Sequence, residues 1–253
     1  MFLKMVKRKM VAGLLALAGL VVSPVMAKAD YLTFQNMVPG AYTSGWIEAG
    51  DGSNTLGENA YIGQMQFSHI VGNDPNGQGK TLDTFCVNLF NNETNQQYSV
   101  TPSQIDSHYL KPNANEMAYL YATYGQQSLS NNDVLAGGLQ LAIWNLTVNP
   151  DPSVYKSVSF FDSNTGAYFS ATDVDQKYLN EAQSLLDEAF TNAFSGTTSF
   201  LDQVQLLYSP MGPGQSVLAP VPEPASMAMA LIGIPCVGGI ARFVRRRGKP
   251  VSE

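Results

Sequence analysis

The apolar residues of this chain change their spacing once, and that change restricts the fold to strands followed by packed helices. In residues 59–71, Tyr61, Met65, Phe67, His69 and Val71 alternate with Ile62, Gln64, Gln66 and Ser68. That two-residue period belongs to a strand with two distinct faces. Residues 31–37 and 44–50 are shorter strand candidates. The segment 72–80, GNDPNGQGK, reads as a loop from its Gly, Asn and Pro content. In the next strand, residues 81–93, Phe85, Val87 and Leu89 form one apolar face. Thr84, Cys86 and Asn88 must point to the other side.

Beyond this point the period lengthens. Met117, Leu120, Tyr121 and Tyr124 repeat at helical spacing, and Gly125 supplies a stop. Leu135, Leu139, Ala142, Ile143 and Leu146 form a second stripe. The third helix is the clearest: Thr172 is placed to cap it, and Val174, Tyr178, Ala182, Leu185, Leu186 and Ala189 line one face. A last strand is expected at 203–208. The Pro- and Gly-rich stretch SPMGPGQSVLAPVPEP after it reads as a flexible spacer. The fold class expected is α+β: a β-sandwich or barrel-like sheet with a packed helical layer, in one ectodomain spanning 30–208, with a linker at 209–221.

Both ends of the chain read as addresses. Residues 1–29 begin with Lys4, Lys7, Arg8 and Lys9, continue with VAGLLALAGLVV, and end in Ala27-Lys28-Ala29. Basic, apolar and small residues in that order describe a secretory signal peptide cut before Asp30. At the other end, Pro222-Glu223-Pro224 precedes an apolar stretch from Ala225 to about Ile240, which Arg245, Arg246 and Arg247 close. The stretch approaches the roughly 20 residues of a transmembrane helix, and the arginines assign its end to the cytoplasm. The prolines keep the preceding segment extended. This tripartite tail, 222–253, resembles the PEP-CTERM sorting signal. The resemblance implies processing by an exosortase of a Gram-negative bacterium, transient anchoring in the inner membrane, and release to the cell surface or extracellular polysaccharide matrix.

Between the two ends the charge is one-sided. Residues 30–221 hold four lysines, no arginine and eighteen acidic residues, a net charge of −14. Such a surface repels nucleic acid and anionic membranes. Partners are therefore sought among processing enzymes, polysaccharide and surface nucleophiles. No cofactor and no metal is called for.

An exported chain meets oxidising conditions, and there a single cysteine is conspicuous. Cys86 has no disulfide partner in the ectodomain, because the other cysteine, Cys236, falls in the expected membrane span. Cys86 is then a buried inert thiol, a catalytic thiol, or a thiol bonded to something else. Gln140 favours the third. Gly137 and Ala136 stand three and four positions before it and share its helix face, so a strand can approach that face closely. Attack of the Cys86 sulfur on the Gln140 side-chain carbonyl would expel ammonia and leave a thioester.

The pair FCVNL and, some fifty residues later, LQLAIW resembles the bacterial surface thioester domain, in which a strand cysteine is linked to the glutamine of a TQxAIW-type motif. The resemblance implies a Cys86–Gln140 cross-link with Ala142, Ile143 and Trp144 completing the motif. It also implies covalent capture of an amine or hydroxyl nucleophile without turnover, so no enzyme and no catalytic residue. Leu139 stands where that family has threonine. The competing expectation is a structural or glycan-binding matrix protein, without the bond, in which Trp46 and the tyrosines could form a carbohydrate face.

Other chemistry is weaker. A cysteine hydrolase requires a histidine base. His69 and His108 are the two histidines, with Asp106 near the second. Asp74, Asn76, Gln78 and Gly79 imitate the start of a calcium loop, but Phe85 occupies the position of its closing glutamate.

Overall fold

The computed structural model describes residues 30–221, apart from 73–75, 91–95, 106–112, 152–153, 155, 194–199 and 210–213. The expected signal peptide and the expected sorting motif, including Pro222, Glu223, Pro224, Arg245, Arg246 and Arg247, lie outside the described residues. Among the described residues no helix is long and apolar enough to cross a membrane.

The architecture is α+β: a nearly closed antiparallel barrel-like sheet with three helices against it. The strands are β1 (Asp30–Asp51), β2 (Thr55–Ile70), β3 (Lys80–Thr84), β4 (Tyr98–Gln104), β5 (Phe160–Phe161), β6 (Ala167–Thr172), β7 (Val204–Tyr208) and β8 (Val217–Pro220). The helices are α1 (Ala114–Leu120), which runs into a π-helical turn at Tyr121–Gly125, then α2 (Asp133–Val148) and α3 (Gln176–Asn192). The sheet order is β3-β2-β1-β4-β7-β8, and β6 with β5 joins along the far half of β1.

β1 is the trunk of the sheet. The two short strands expected at 31–37 and 44–50 are one strand, paired with β2 from Tyr31↔Ile70 to Gly50↔Thr55. Its interruption is a bulge: the register steps from Met37↔Met65 to Tyr42↔Gly63, so Val38–Ala41 oppose Gln64 alone. Val38 and Ala41 turn into the core there. Gly63, with φ of +155°, accepts the bulge because a Cβ would stand 2.2 Å from the Ala41 carbonyl oxygen.

The sheet closes where β3 ends. Past Thr84 the chain leaves β2 and meets β8 through one bridge, Cys86↔Val217. Val87 N–H donates to Ser216 O at 2.9 Å, and Leu218 N–H donates to Phe85 O at 3.2 Å. The Thr84 hydroxyl adds a bond to Leu218 O. β8 therefore corrects the expectation of a spacer at 209–221. Val217, Leu218 and Ala219 are buried, and the ordered domain runs to residue 221 and not to 208. Of the Pro and Gly residues that suggest a linker, Gly214 stands between β7 and β8 and Pro220 ends β8 itself.

Strand alternation divides the interior in two. Phe85, Val87, Leu206 and Leu218 face the helices and join the larger core with Ile47, Ile62, Met117 and Leu139. Cys86, Leu207, Val217 and Ala219 face the barrel and join Leu32, Met65 and Phe67 in a smaller core.

α2 is the centre of the helical layer. The stripe expected from Leu135 to Leu146 is too narrow a description, since every residue from Ala136 to Leu146 is buried. A helix that is apolar all round is one surrounded by protein. Asn132 caps it by accepting from Leu135 N–H. The cap of α3 is Asp175, which accepts from Lys177 N–H, and not Thr172. Thr172 is committed to β6, opposite Trp46, and Asp173 at φ +56° turns the chain before the helix starts.

Candidate functional site: the Cys86–Gln140 junction

The break between β3 and β8 decides what happens at Cys86. Its neighbours Phe85 and Val87 hydrogen-bond to β8, so its own N–H and C=O point to the opposite edge. β2 no longer serves that edge, since its last rung with β3 is Met65↔Thr84. Two buried peptide groups would remain without partners, which proteins rarely tolerate. Gln140 of α2 fills the gap. Cys86 N–H donates to Gln140 Oε1 at 3.1 Å, and Gln140 Nε2 donates to Cys86 O at 2.8 Å. The carboxamide offers one acceptor and one donor and so substitutes for a peptide group of the absent strand.

This geometry sets the chemistry available. The carboxamide lies edge-on to the strand, while the Cys86 side chain leaves the strand roughly perpendicular to it. Sγ donates to Asn88 O at 3.2 Å. Attack on the Gln140 carbonyl carbon would require the sulfur to leave that bond and approach the carboxamide from one of its faces. The Cys86 N–H already bonded to Oε1 is placed to stabilise the negative charge that such an attack develops on oxygen. Cys86 is 1 % exposed and Gln140 0 %, so bulk water is excluded from the junction.

The junction borders a cavity of about 550 Å³. Cys86, Met65, Leu89 and Trp144 are buried and form its inner end. Tyr42 and Tyr61 are exposed, stand edge to face with centroids 5.9 Å apart, and form its rim. Trp144 is four residues after Gln140 and shares its helix face. Its indole Nε1 is buried and has no hydrogen-bond partner. Ala142 and Ile143 lie in the larger core and do not line the cavity.

The glycines before Gln140 serve another contact. A Cβ on Gly137 would stand 2.8 Å from the Tyr178 ring, and one on Gly138 would stand 2.5 Å from Glu181 Cγ. Both therefore seat α3 against α2, which corrects the expectation that Gly137 clears space for the cysteine strand. The long reach of the glutamine itself brings α2 to Cys86.

The remaining candidates separate from this site. His69 is paired with Asp30 at 2.9 Å, and on the sheet it stands opposite Lys80. That is four residues, roughly 13 Å along the strand, from the rung at Thr84. Asp106 and His108 lie outside the described residues, as does Asp74. Asn76, Gln78 and Gly79 are described, but no group of three or more metal-ligating side chains occurs among the described residues. The Trp46 indole donates to Glu48 Oε1 at 3.0 Å and contributes nothing to the cavity.

Gln64 was not singled out in the sequence, yet it repeats the role of Gln140. Its Nε2 donates to Gln127 O and its Oε1 accepts from Leu129 N–H, each at 2.7 Å. The β1 bulge opposite Gln64 creates that vacancy, and a bulge has no reliable sequence signal here. A search for family models, curated proteins and solved structures similar to this chain found no match.

Proposed function

We propose that this chain is an exported surface or extracellular-matrix protein whose Cys86 and Gln140 form an internal thioester for covalent attachment to an amine or hydroxyl. One observation carries the reading: the Gln140 carboxamide is held at both ends by the peptide groups of Cys86, beside the thiol of the same residue. Bond formation joins Sγ to the Gln140 carbonyl carbon, breaks the C–N bond, and releases ammonia with the thiol proton. A nucleophile then breaks the C–S bond, remains on Gln140, and returns the proton to Cys86. The ectodomain acts once per molecule. Its address rests on the tail from Pro222 to Arg247, which suits exosortase sorting of a protein destined for the surface or the polysaccharide matrix.

A second reading has its own support. Gln64 makes the same two-ended clamp with no cysteine beside it. Gln140 is then a structural substitute for a strand, and the domain is a non-covalent matrix component. Intact mass of the segment 30–221, with and without methylamine, separates the two. The thioester gives a native mass short by one ammonia and a methylamine adduct on Gln140 with a newly alkylatable thiol at Cys86. A full native mass, with a thiol that alkylates as soon as the protein unfolds, refutes the bond and leaves the clamp.

A further inference from the structure

The inward face of β2 carries one residue that the alternation does not explain. Leu56 and Ala60 pack against the larger core, and Ile62 is fully buried. Glu58 stands between them in the same period and is half-buried in the cavity wall. Among the described residues that line the cavity it is the one carboxylate, and none of them is a lysine, arginine or histidine. An inward charge can guard an exposed strand edge. This one instead opens onto the space that leads to Cys86.

The other walls suit the same kind of guest. Tyr42 and Tyr61 flank the mouth, and Trp144 lies at the inner end. Aromatic faces attract organic cations, and the effect grows when water is displaced. Met37 and Met65 supply soft apolar contacts for an alkyl stem.

Building on the thioester reading, we propose that Glu58 is a specificity-determining residue: its carboxylate draws an alkylammonium group into the cavity that leads to Cys86. An ammonium nitrogen has no lone pair. Transfer of one proton to water frees the amine, which forms the C–N bond at the Gln140 carbonyl carbon as the C–S bond breaks. The second nitrogen proton passes to the departing sulfur. The products are an amide and the Cys86 thiol. Hydroxyl nucleophiles, which carry no charge, gain nothing from Glu58 at the capture step.

The test compares two probes on the segment 30–221, which contains the closed sheet and both cores. 1,4-Diaminobutane is cationic at neutral pH, and hydroxylamine is uncharged. Intact mass before addition establishes whether the bond is present. Glu58→Gln is expected to lower the diaminobutane rate about 10-fold relative to the hydroxylamine rate, the effect of losing one nearby charge. It should also weaken the fall of the diaminobutane rate with added salt, which the other carboxylates of the domain partly sustain, while Glu58→Asp retains part of both effects. A merely structural role would change both probes equally. If the wild type lacks the ammonia deficit, the thioester and this inference fail together. If the bond is present and the ratio of the two rates ignores Glu58, this inference alone is overturned.

Discussion

Gln140 and Cys86 are joined by two hydrogen bonds, from N–H to Oε1 at 3.1 Å and from Nε2 to C=O at 2.8 Å, across the point where the sheet closes. The closure and the candidate chemistry are thus one feature. Because β8 takes the peptide groups of Phe85 and Val87, those of Cys86 are left to a side chain, and only a carboxamide satisfies both.

Loss of the Gln140 side chain is costly in either functional reading, and where no thioester forms the cost is that of the carboxamide alone. Gln140→Leu leaves a buried donor and a buried acceptor unpaired, a loss of about 2–4 kcal/mol. Gln64→Leu should cost a similar amount if both residues are clamps alone. Denaturant unfolding of the two variants checks this. If a thioester is present, Gln140→Leu is the more damaging of the two, because it removes a cross-link as well.

The cross-link has a measurable stability of its own. A bond between residues 86 and 140 closes a loop whose entropy is worth roughly 4 kcal/mol by the chain-entropy relation. Methylamine opens the bond but leaves an amide that retains the carbonyl and one N–H. The thioester itself has no nitrogen at Gln140, so the new amide restores the donor to Cys86 O, and the change in stability is the covalent link less that hydrogen bond, about 1 kcal/mol. The melting temperature of the treated wild type should fall by about 6–12 °C for a domain of this size. Cys86→Ser should not respond to the amine.

Much of this arrangement was legible in the sequence, and the exceptions have physical causes. The alternation of Phe85 and Val87 against Cys86 is present as two separate cores. The face of α3 from Tyr178 to Ala189 is buried as the helical period requires. β8 was hidden because three apolar residues among Pro, Gly and Ser carry too little pattern to mark a strand; the closure of the sheet makes it one. The glycines before Gln140 indicate close packing but not the partner, which is Tyr178 and Glu181 of α3. The resemblance carried by FCVNL and LQLAIW named the two residues that meet, but not the two-ended clamp. That depends on where β2 stops serving the edge.

The glycine contacts give a packing test. Gly137→Ala puts a Cβ 2.8 Å from the Tyr178 ring, and Tyr178 is held by a hydrogen bond from its hydroxyl to Asp133 at 2.6 Å. The ring cannot yield without loosening that bond. A loss of about 1–3 kcal/mol is expected from overpacking, measured by urea unfolding. Tyr178→Leu in the same background should recover part of it.

The extent of the domain can be tested by truncation. A chain ending at Tyr208 loses Val217, Leu218 and Ala219 from the two cores and leaves the Val87 N–H and Phe85 carbonyl without their β8 partners. It is expected to populate an unfolded or aggregated state, whereas the segment ending at Val221 folds. Near-ultraviolet circular dichroism and size-exclusion profiles of the two segments distinguish this from a dispensable spacer.

Glu116 on α1 sets a pH dependence. It is buried, its Oε2 has no hydrogen-bond partner, and burial raises its carboxyl above the ordinary range. Asn113, one helical turn earlier, has a buried Oδ1 without a partner, while its Nδ2 donates to the Leu146 and Asn149 carbonyls. A protonated Glu116 would supply a donor where two acceptors otherwise stand unpaired. Because the folded state holds this proton more tightly than the unfolded chain, the stability it contributes is fully present below the unfolded pKa. That stability is lost as pH rises through the raised folded value. Glu116→Gln carries a permanent donor and no charge. It should therefore stabilise the protein at neutral pH by about 1 kcal/mol, the worth of a buried hydrogen bond. The gain should shrink as the pH is lowered and the wild-type carboxyl takes up its proton. Urea midpoints of wild type and variant between acidic and neutral pH measure that difference, and a gain independent of pH would show that Glu116 is not the titrating group.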